Sequence, residues 1–255
     1  MQSFVHGGLV LAYDRRGSGA PLVLIHGYPL DHSTWDETAS LLARDFDLIL
    51  PDVRGLGESA ASDAAYAMDD LAADLAALLD HLKIKKAFVA GHSMGGYITL
   101  AFARAYPERL LGLALVSSQA VADTPERKEG RYAAAKQVAE TGIASVVDAM
   151  TPKLSADARV QAYVRALMGR QKPAGVIGSL KAMAERETLT SALSNLECPI
   201  LLIHGDADVL IPIERAREVK ALVPSADLFE LAGLGHMPMM EDPAAVADAL
   251  KRFPG

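Results

Sequence analysis

Short apolar runs that alternate with longer amphipathic stretches constrain this 255-residue chain more than any other feature. Leu9–Tyr13, Leu22–Ile25, Phe46–Leu50, Ala87–Ala90, Leu111–Val116 and Ile200–Ile203 are wholly or mostly apolar, and Asp227–Leu231 is a weaker run of the same kind. Successive side chains of a strand point to opposite faces, so a strand covered on both faces has no polar alternation and reads as a continuous apolar run. Between the runs, Leu71, Leu75, Leu78, Leu79 and Leu82 recur at helical spacing over Met68–Lys83. Pro243–Phe253 reads as a closing helix with proline in its first turn. The pattern predicts an α/β fold, a mostly parallel central sheet of about eight strands with helices on both faces. A hydrophobic content of 51% supplies enough apolar surface for one such core.

The alternation breaks once. From Gln119 to Leu193 no strand pattern is found, only the helical segments Glu126–Glu140, Ala156–Met168 and Ala174–Arg186. About 75 residues far exceed what one crossover between parallel strands needs. The expected organisation is a core made of residues 1–118 and 194–255 with a helical cap insertion over 119–193.

Charge and composition exclude several function classes. With 25 Lys and Arg against 32 Asp and Glu, the net charge is −7, which argues against a grip on nucleic acid or an anionic membrane. No run approaches the ~20 apolar residues of a membrane span. The opening MQSFVHGGLV has neither the basic nor the apolar region of a signal peptide, so the sequence reads as cytoplasmic. Cys198 is the single cysteine and precedes Pro199 at the start of an apolar run, the place of a packed thiol. No Cys/His cluster has metal-ligand spacing, and no metal or organic cofactor is expected. The composition is compatible with a homo-oligomer.

The chemistry concentrates in AGHSMGGYITL, residues 90–100. Ser93 lies between Gly91 and Gly95, after the strand pattern of Lys86–Ala90 and before the helical pattern of Gly96–Arg104. A serine hydroxyl is a weak nucleophile until a base takes its proton, and it must be held out on a sharp turn where that base can reach it. Taken alone, the pentapeptide reads equally well as a glycine-rich turn. Other residues supply the missing roles. His236, in GLGHMP after the last strand, sits in a loop suited to aiming an imidazole. Asp208, in HGDADVLIP after Ile200–Ile203, is placed to orient that ring, whereas Asp206 suits the turn itself.

Two backbone N–H groups are needed for a developing oxyanion. Met94 follows the serine at a helix N-terminus, and Tyr28 stands in the HGYP turn after Leu22–Ile25. Tyr28, Pro29, Leu30, His92, Val121, Leu210 and Met237 are expected around the substrate, with Met94, Met150, Leu167 and Met168 adding to a partly enclosed apolar pocket. Arg54–Ser59 is glycine-rich but lacks the spacing and lysine of a phosphate-binding loop, and reads as structural support.

Taken together, HGYP, DVRGLGES, GHSMGG, HGDADVLIP and GLGHMPMMEDP, in the chain order Ser93, Asp208, His236, resemble the α/β-hydrolase family over nearly the whole chain, least across 119–193. The resemblance implies the fold and a Ser-His-Asp triad without naming a substrate. Haloalkane dehalogenases and epoxide hydrolases of this fold carry aspartate at the elbow, so a serine there implies acyl-enzyme chemistry. The HGYP turn looks like that of bacterial arylesterases and of cofactor-free perhydrolases, in which a proline equivalent to Pro29 accompanies hydrogen peroxide as acyl acceptor. The expected activity is that of a serine carboxylesterase on small or aryl esters. A lactonase or perhydrolase is the alternative, and a ligand receptor derived from such an enzyme is the more distant one. The expected partner is a small-molecule ester or lactone.

Overall fold

Eight strands form one sheet in the computed structural model, which describes residues 1–62 and 64–253. They are β1 (Gln2–His6), β2 (Leu9–Gly17), β3 (Ala20–Ile25), β4 (Phe46–Pro51), β5 (Ala87–His92), β6 (Leu110–Val116), β7 (Ile200–Gly205) and β8 (Asp227–Leu231). The spatial order is β1-β2-β4-β3-β5-β6-β7-β8. β2 runs antiparallel to both β1 and β4, and every other pairing is parallel. The sheet is the one expected from the sequence. β1 lacks an apolar run because only Phe4 of its five residues is buried.

Helices cover both faces. α1 (Asp36–Leu42) and α11 (Pro243–Leu250) lie on one, and α2 (Met68–His81), α3 (Met94–Ala105) and α9 (Glu214–Leu222) on the other. The strand period divides the core accordingly. Leu22, Leu24, Leu48 and Leu50 pack towards α1 and α11, while Val23, Ile25, Ile49 and Val89 pack towards α2 and α3. All of these are almost fully enclosed, each contributing about 1.5–3 kcal/mol of transfer free energy.

Between β6 and β7 the described chain has helices and no strand: α4 (Pro125–Thr141), α5 (Ala144–Leu154), α6 (Ala158–Met168), α7 (Pro173–Ala184) and α8 (Thr190–Ser194). Thr124 caps α4 through its side chain, with Pro125 in the first turn, and Asp157 caps α6. α5 has no counterpart in the sequence reading, because Val146, Val147, Thr151 and Pro152 are poor helix formers and packing overrides them. α10 (Pro238–Glu241) is a single turn after the last loop.

The Arg54–Ser59 loop supports this helical segment directly. A Cβ on Gly175 of α7 would overlap the Gly55 carbonyl, so the two backbones touch where neither residue has a side chain. The Gly57 N–H donates to Gln171 Oε1 at 2.9 Å beside this contact. Cys198 is partly buried against the core, as expected of a packed thiol.

Candidate active site

Ser93 stands between β5 and α3 with φ 51° and ψ −112°, a conformation that non-glycine residues rarely adopt. Small neighbours make the turn possible. A Cβ on Gly91 would overlap the Gly95 carbonyl, one on Gly95 would overlap the Ile25 oxygen, and one on Gly96 would overlap the Ser118 hydroxyl. Only glycine lets α3 start this close to β3 and β5. The strained residue is held from both sides: its N–H donates to the Val116 carbonyl at 2.9 Å, and its carbonyl accepts from Gly96 N–H at 2.9 Å and from Ser118 Oγ at 2.8 Å.

His236 Nδ1 donates to Asp208 Oδ2 at 2.7 Å, and both side chains are buried. Asp208 Oδ1 accepts from the Leu210 and Ile211 N–H groups at 2.8 and 3.0 Å. His204 Nε2, which donates to the Ile211 carbonyl at 2.8 Å, lies 3.4 Å from Asp208 Oδ2. Burial alone would raise the Asp208 pKa; His236, His204 and these N–H donors outweigh it and hold the carboxyl far below the usual range. The ionised Asp208 therefore keeps the proton on His236 Nδ1, leaving Nε2 free to accept one. Asp206 instead accepts from the Gly233 N–H at 2.6 Å, tying the loops after β7 and β8 together rather than bonding within its own turn as expected.

Met94 follows Ser93 in the chain and Tyr28 follows Gly27 in the turn after β3, and no hydrogen bond engages the N–H of either among the described residues. The turn's approach to Ser93 depends on Gly27, where a Cβ would lie 2.6 Å from His92 Nδ1 and 3.2 Å from Ser93 Cβ. The Tyr28–Pro29 peptide is cis. Ser93 and His236 border one cavity of about 220 Å³ without a hydrogen bond between them, an arrangement common before substrate is bound. Its other walls are Tyr28, Tyr97, Leu210 and Ile211 from the core and residues of α4, α5 and α7.

Several residues expected at the substrate do not border this cavity. Leu30, Met94 and Met237 are fully enclosed side chains in the core, as are Leu167 and Met168, because apolar packing beneath the loops claims them. Pro29 is buried beside Leu30. Val121 lies away from the cavity, its carbonyl accepting from Arg186 Nη2 at 3.1 Å. His92 is buried behind the serine, and its Nε2 donates to the His236 carbonyl at 2.8 Å. Burial keeps the His92 pKa well below that of a free imidazole, so it is a neutral ring that anchors the His236 loop. Tyr28, Met150 and Leu210 do border the cavity. Tyr97, Arg127, Arg131 and Gln137 border it as well; the i, i+4 spacing of Arg127 and Arg131 puts those two on one face of α4, and the sequence marks the others in no way.

Asp31, His32 and Asp52 offer ligand atoms within 4.8 Å of one another, but Asp52 accepts from the His32 N–H, His32 Nδ1 and the Glu58 N–H. That carboxylate is committed to cross-linking two loops.

The family model for the alpha/beta hydrolase fold matches residues 20–243. The chain belongs to the α/β-hydrolase fold family. Among hydrolases of this fold, a thermophilic esterase from Thermogutta terrifontis, solved with malate bound, is 34% identical over all of this chain and 98% of its own, with a TM-score of 0.95. The enol-lactonase from Burkholderia xenovorans LB400 is 25% identical, covering 99% of both chains, with a TM-score of 0.91. The dihydrolipoyllysine-residue acetyltransferase component of the acetoin cleaving system of Pseudomonas putida is 31% identical over 97% of this chain and 67% of its own length. No helix among the described residues is long and apolar enough to cross a membrane.

Proposed function

We propose that this hydrolase-fold protein is a serine-dependent carboxylic ester hydrolase working through an acyl-enzyme. The observation that carries the reading is the Asp208–His236 pair, 2.7 Å apart, whose His236 borders the same cavity as a strained Ser93. Ser93 Oγ attacks the ester carbonyl while His236 Nε2 takes its proton, and the Tyr28 and Met94 N–H groups receive the oxyanion. His236 then returns the proton to the departing alcohol. Water enters, gives its proton to the same nitrogen and attacks the acyl carbonyl, and collapse frees Ser93 and the acid. Asp208 holds the ring's tautomer and stabilises the imidazolium formed in each half. The residues present suffice for every step.

The helical segment between β6 and β7 acts as a cap, since α4, α5 and α7 supply the cavity's outer wall. At about 220 Å³ the cavity is smaller than common drug-sized sites, which favours small acyl groups. Ring-opening of a lactone follows the same steps, and the enol-lactonase likeness makes that the second reading. Hydrolysis of p-nitrophenyl esters from acetate to octanoate, compared with a lactone panel, separates the two. Turnover of the shorter esters, reduced by about 10⁴-fold or more in Ser93→Ala, is the expected result. Undiminished turnover by that variant would refute the mechanism.

A further inference from the structure

The cavity is positively charged on one wall in a chain whose net charge is −7. Arg127 and Arg131, one turn apart on α4, border it, and no Asp or Glu does so among the described residues. Their charge is only partly balanced nearby. Among the described residues Asp123, whose side chain is fully buried, is the one carboxylate paired with Arg127, Arg131 and Arg186. Arg186 uses that charge structurally: it lies 2.8 Å from Asp123, donates to the Met183 and Val121 carbonyls, and stacks 4.1 Å from the Tyr97 ring centroid.

Arg131 and Arg127 are less fully used. Arg131 reaches Asp123 through Nε and, at 3.4 Å, through Nη2, while its Nη1 faces the Met183 thioether at 3.3 Å. Arg127 is 3.6 Å from Asp123 and 3.4 Å from the Leu210 carbonyl. Three guanidinium groups against one carboxylate leave a surplus of positive charge at a largely apolar cavity. Tyr28 borders the same cavity, only 7% exposed, and its buried hydroxyl has no hydrogen-bond partner among the described residues. A phenol O–H without an acceptor beside guanidinium groups that share one carboxylate is complementary to an anionic oxygen acceptor, of which a carboxylate is the simplest.

We propose that the cavity selects esters or lactones bearing a second, anionic carboxylate, received by Arg127, Arg131 and the Tyr28 hydroxyl while Ser93 acts at the other end. The inference rests on the ester-hydrolase reading for its chemistry. Hydrolysis of such a half ester adds water across the acyl–oxygen bond and releases an alcohol, a dicarboxylate and one proton. Arg186 and Asp123 fasten the helical segment, whereas Arg127 and Arg131 are specificity residues.

The test compares the monomethyl esters of succinate, glutarate and adipate with their neutral counterparts, in which a carboxamide replaces the free carboxylate. For at least one chain length, wild-type kcat/KM for the charged ester should exceed that for the amide by about tenfold or more, and this ratio should shrink as salt rises. Arg127→Gln and Arg131→Gln should each lower the ratio by roughly tenfold. Because Arg131 also holds Asp123, Arg131→Lys accompanies it as a variant that keeps the charge. A wild-type ratio at or below one for every length, or a ratio unmoved in all the folded variants, overturns the inference and leaves the esterase reading standing. If folded wild type hydrolyses neither member of any pair, the esterase reading for small esters fails. Calorimetry on Ser93→Ala then decides the anion pocket separately: monomethyl glutarate binding about tenfold more tightly than its carboxamide upholds it, and equal binding overturns it.

Discussion

At Asp208 the two carboxylate oxygens have different duties. Oδ1 receives two backbone N–H groups and Oδ2 receives His236. An Asp208→Asn amide must keep its oxygen on the N–H side, which turns its NH₂ towards His236. Nδ1 then becomes the acceptor, the proton moves to Nε2, and the ring can no longer take one from Ser93. The expected cost is about 10³–10⁴-fold in kcat with KM little changed, measured by steady-state kinetics on a short ester. A loss below tenfold would remove Asp208 from the proposed role. The placement of Ser93, Asp208 and His236 in loops at strand ends was legible because each sits in a short motif rich in glycine or proline. Leu30 and Met237 occupy the same loops, yet whether a side chain in such a loop points to cavity or core depends on tertiary packing. Their inward direction leaves no mark in the local pattern.

At the scale of elements, the cavity exists because α4, α5 and α7 are docked over the ends of the strands. The Gly55–Gly175 contact is one of the fixings. Gly175→Ala inserts a methyl group where backbone already stands, so α7 must shift while the sheet beneath is untouched. The predicted outcome is faster amide hydrogen exchange in α7 and a severalfold lower kcat/KM, with exchange in β5 and β6 unchanged. Uniformly faster exchange across the sheet would show instead that the helical segment and the core unfold together. The strands were legible because burial on both faces writes apolar runs. α5 was not, since Val146, Val147, Thr151 and Pro152 carry the wrong local preferences and only packing makes them helical. The glycine loop's contact with α7 joins residues 120 apart in sequence, beyond the reach of any local signal.

Across the whole molecule, buried neutral histidines link stability to pH. His26 Nδ1 donates to the Gly27 carbonyl at 2.8 Å and its Nε2 accepts from the Val53 N–H at 2.9 Å, an arrangement only the neutral ring allows. Burial lowers the pKa of both His26 and His92. Below about 6.5 the unfolded chain therefore binds protons that the folded one refuses, and stability falls as pH falls. His32 acts in the opposite sense: burial opposes its charge, but Asp52 prevails and raises its pKa, so its contribution is full at low pH and fades as pH rises through that raised value. Asp208, depressed far below the usual range, is ionised throughout this window and adds no slope. Two rings against one give a net loss on the order of 1 kcal/mol between pH 7.5 and 5.5, checked by urea unfolding at the two values. Higher stability at pH 5.5 would contradict the neutral state of His26 and His92.

The central claim is that Ser93 becomes acylated. Intact-mass and peptide-level mass spectrometry after rapid acid quench of the wild type with p-nitrophenyl butyrate tests it most directly, with Ser93→Ala alongside. The account predicts one butyryl group, confined to the peptide bearing Ser93 and missing from the variant. An adduct on another residue, or rapid turnover by the variant, would contradict it.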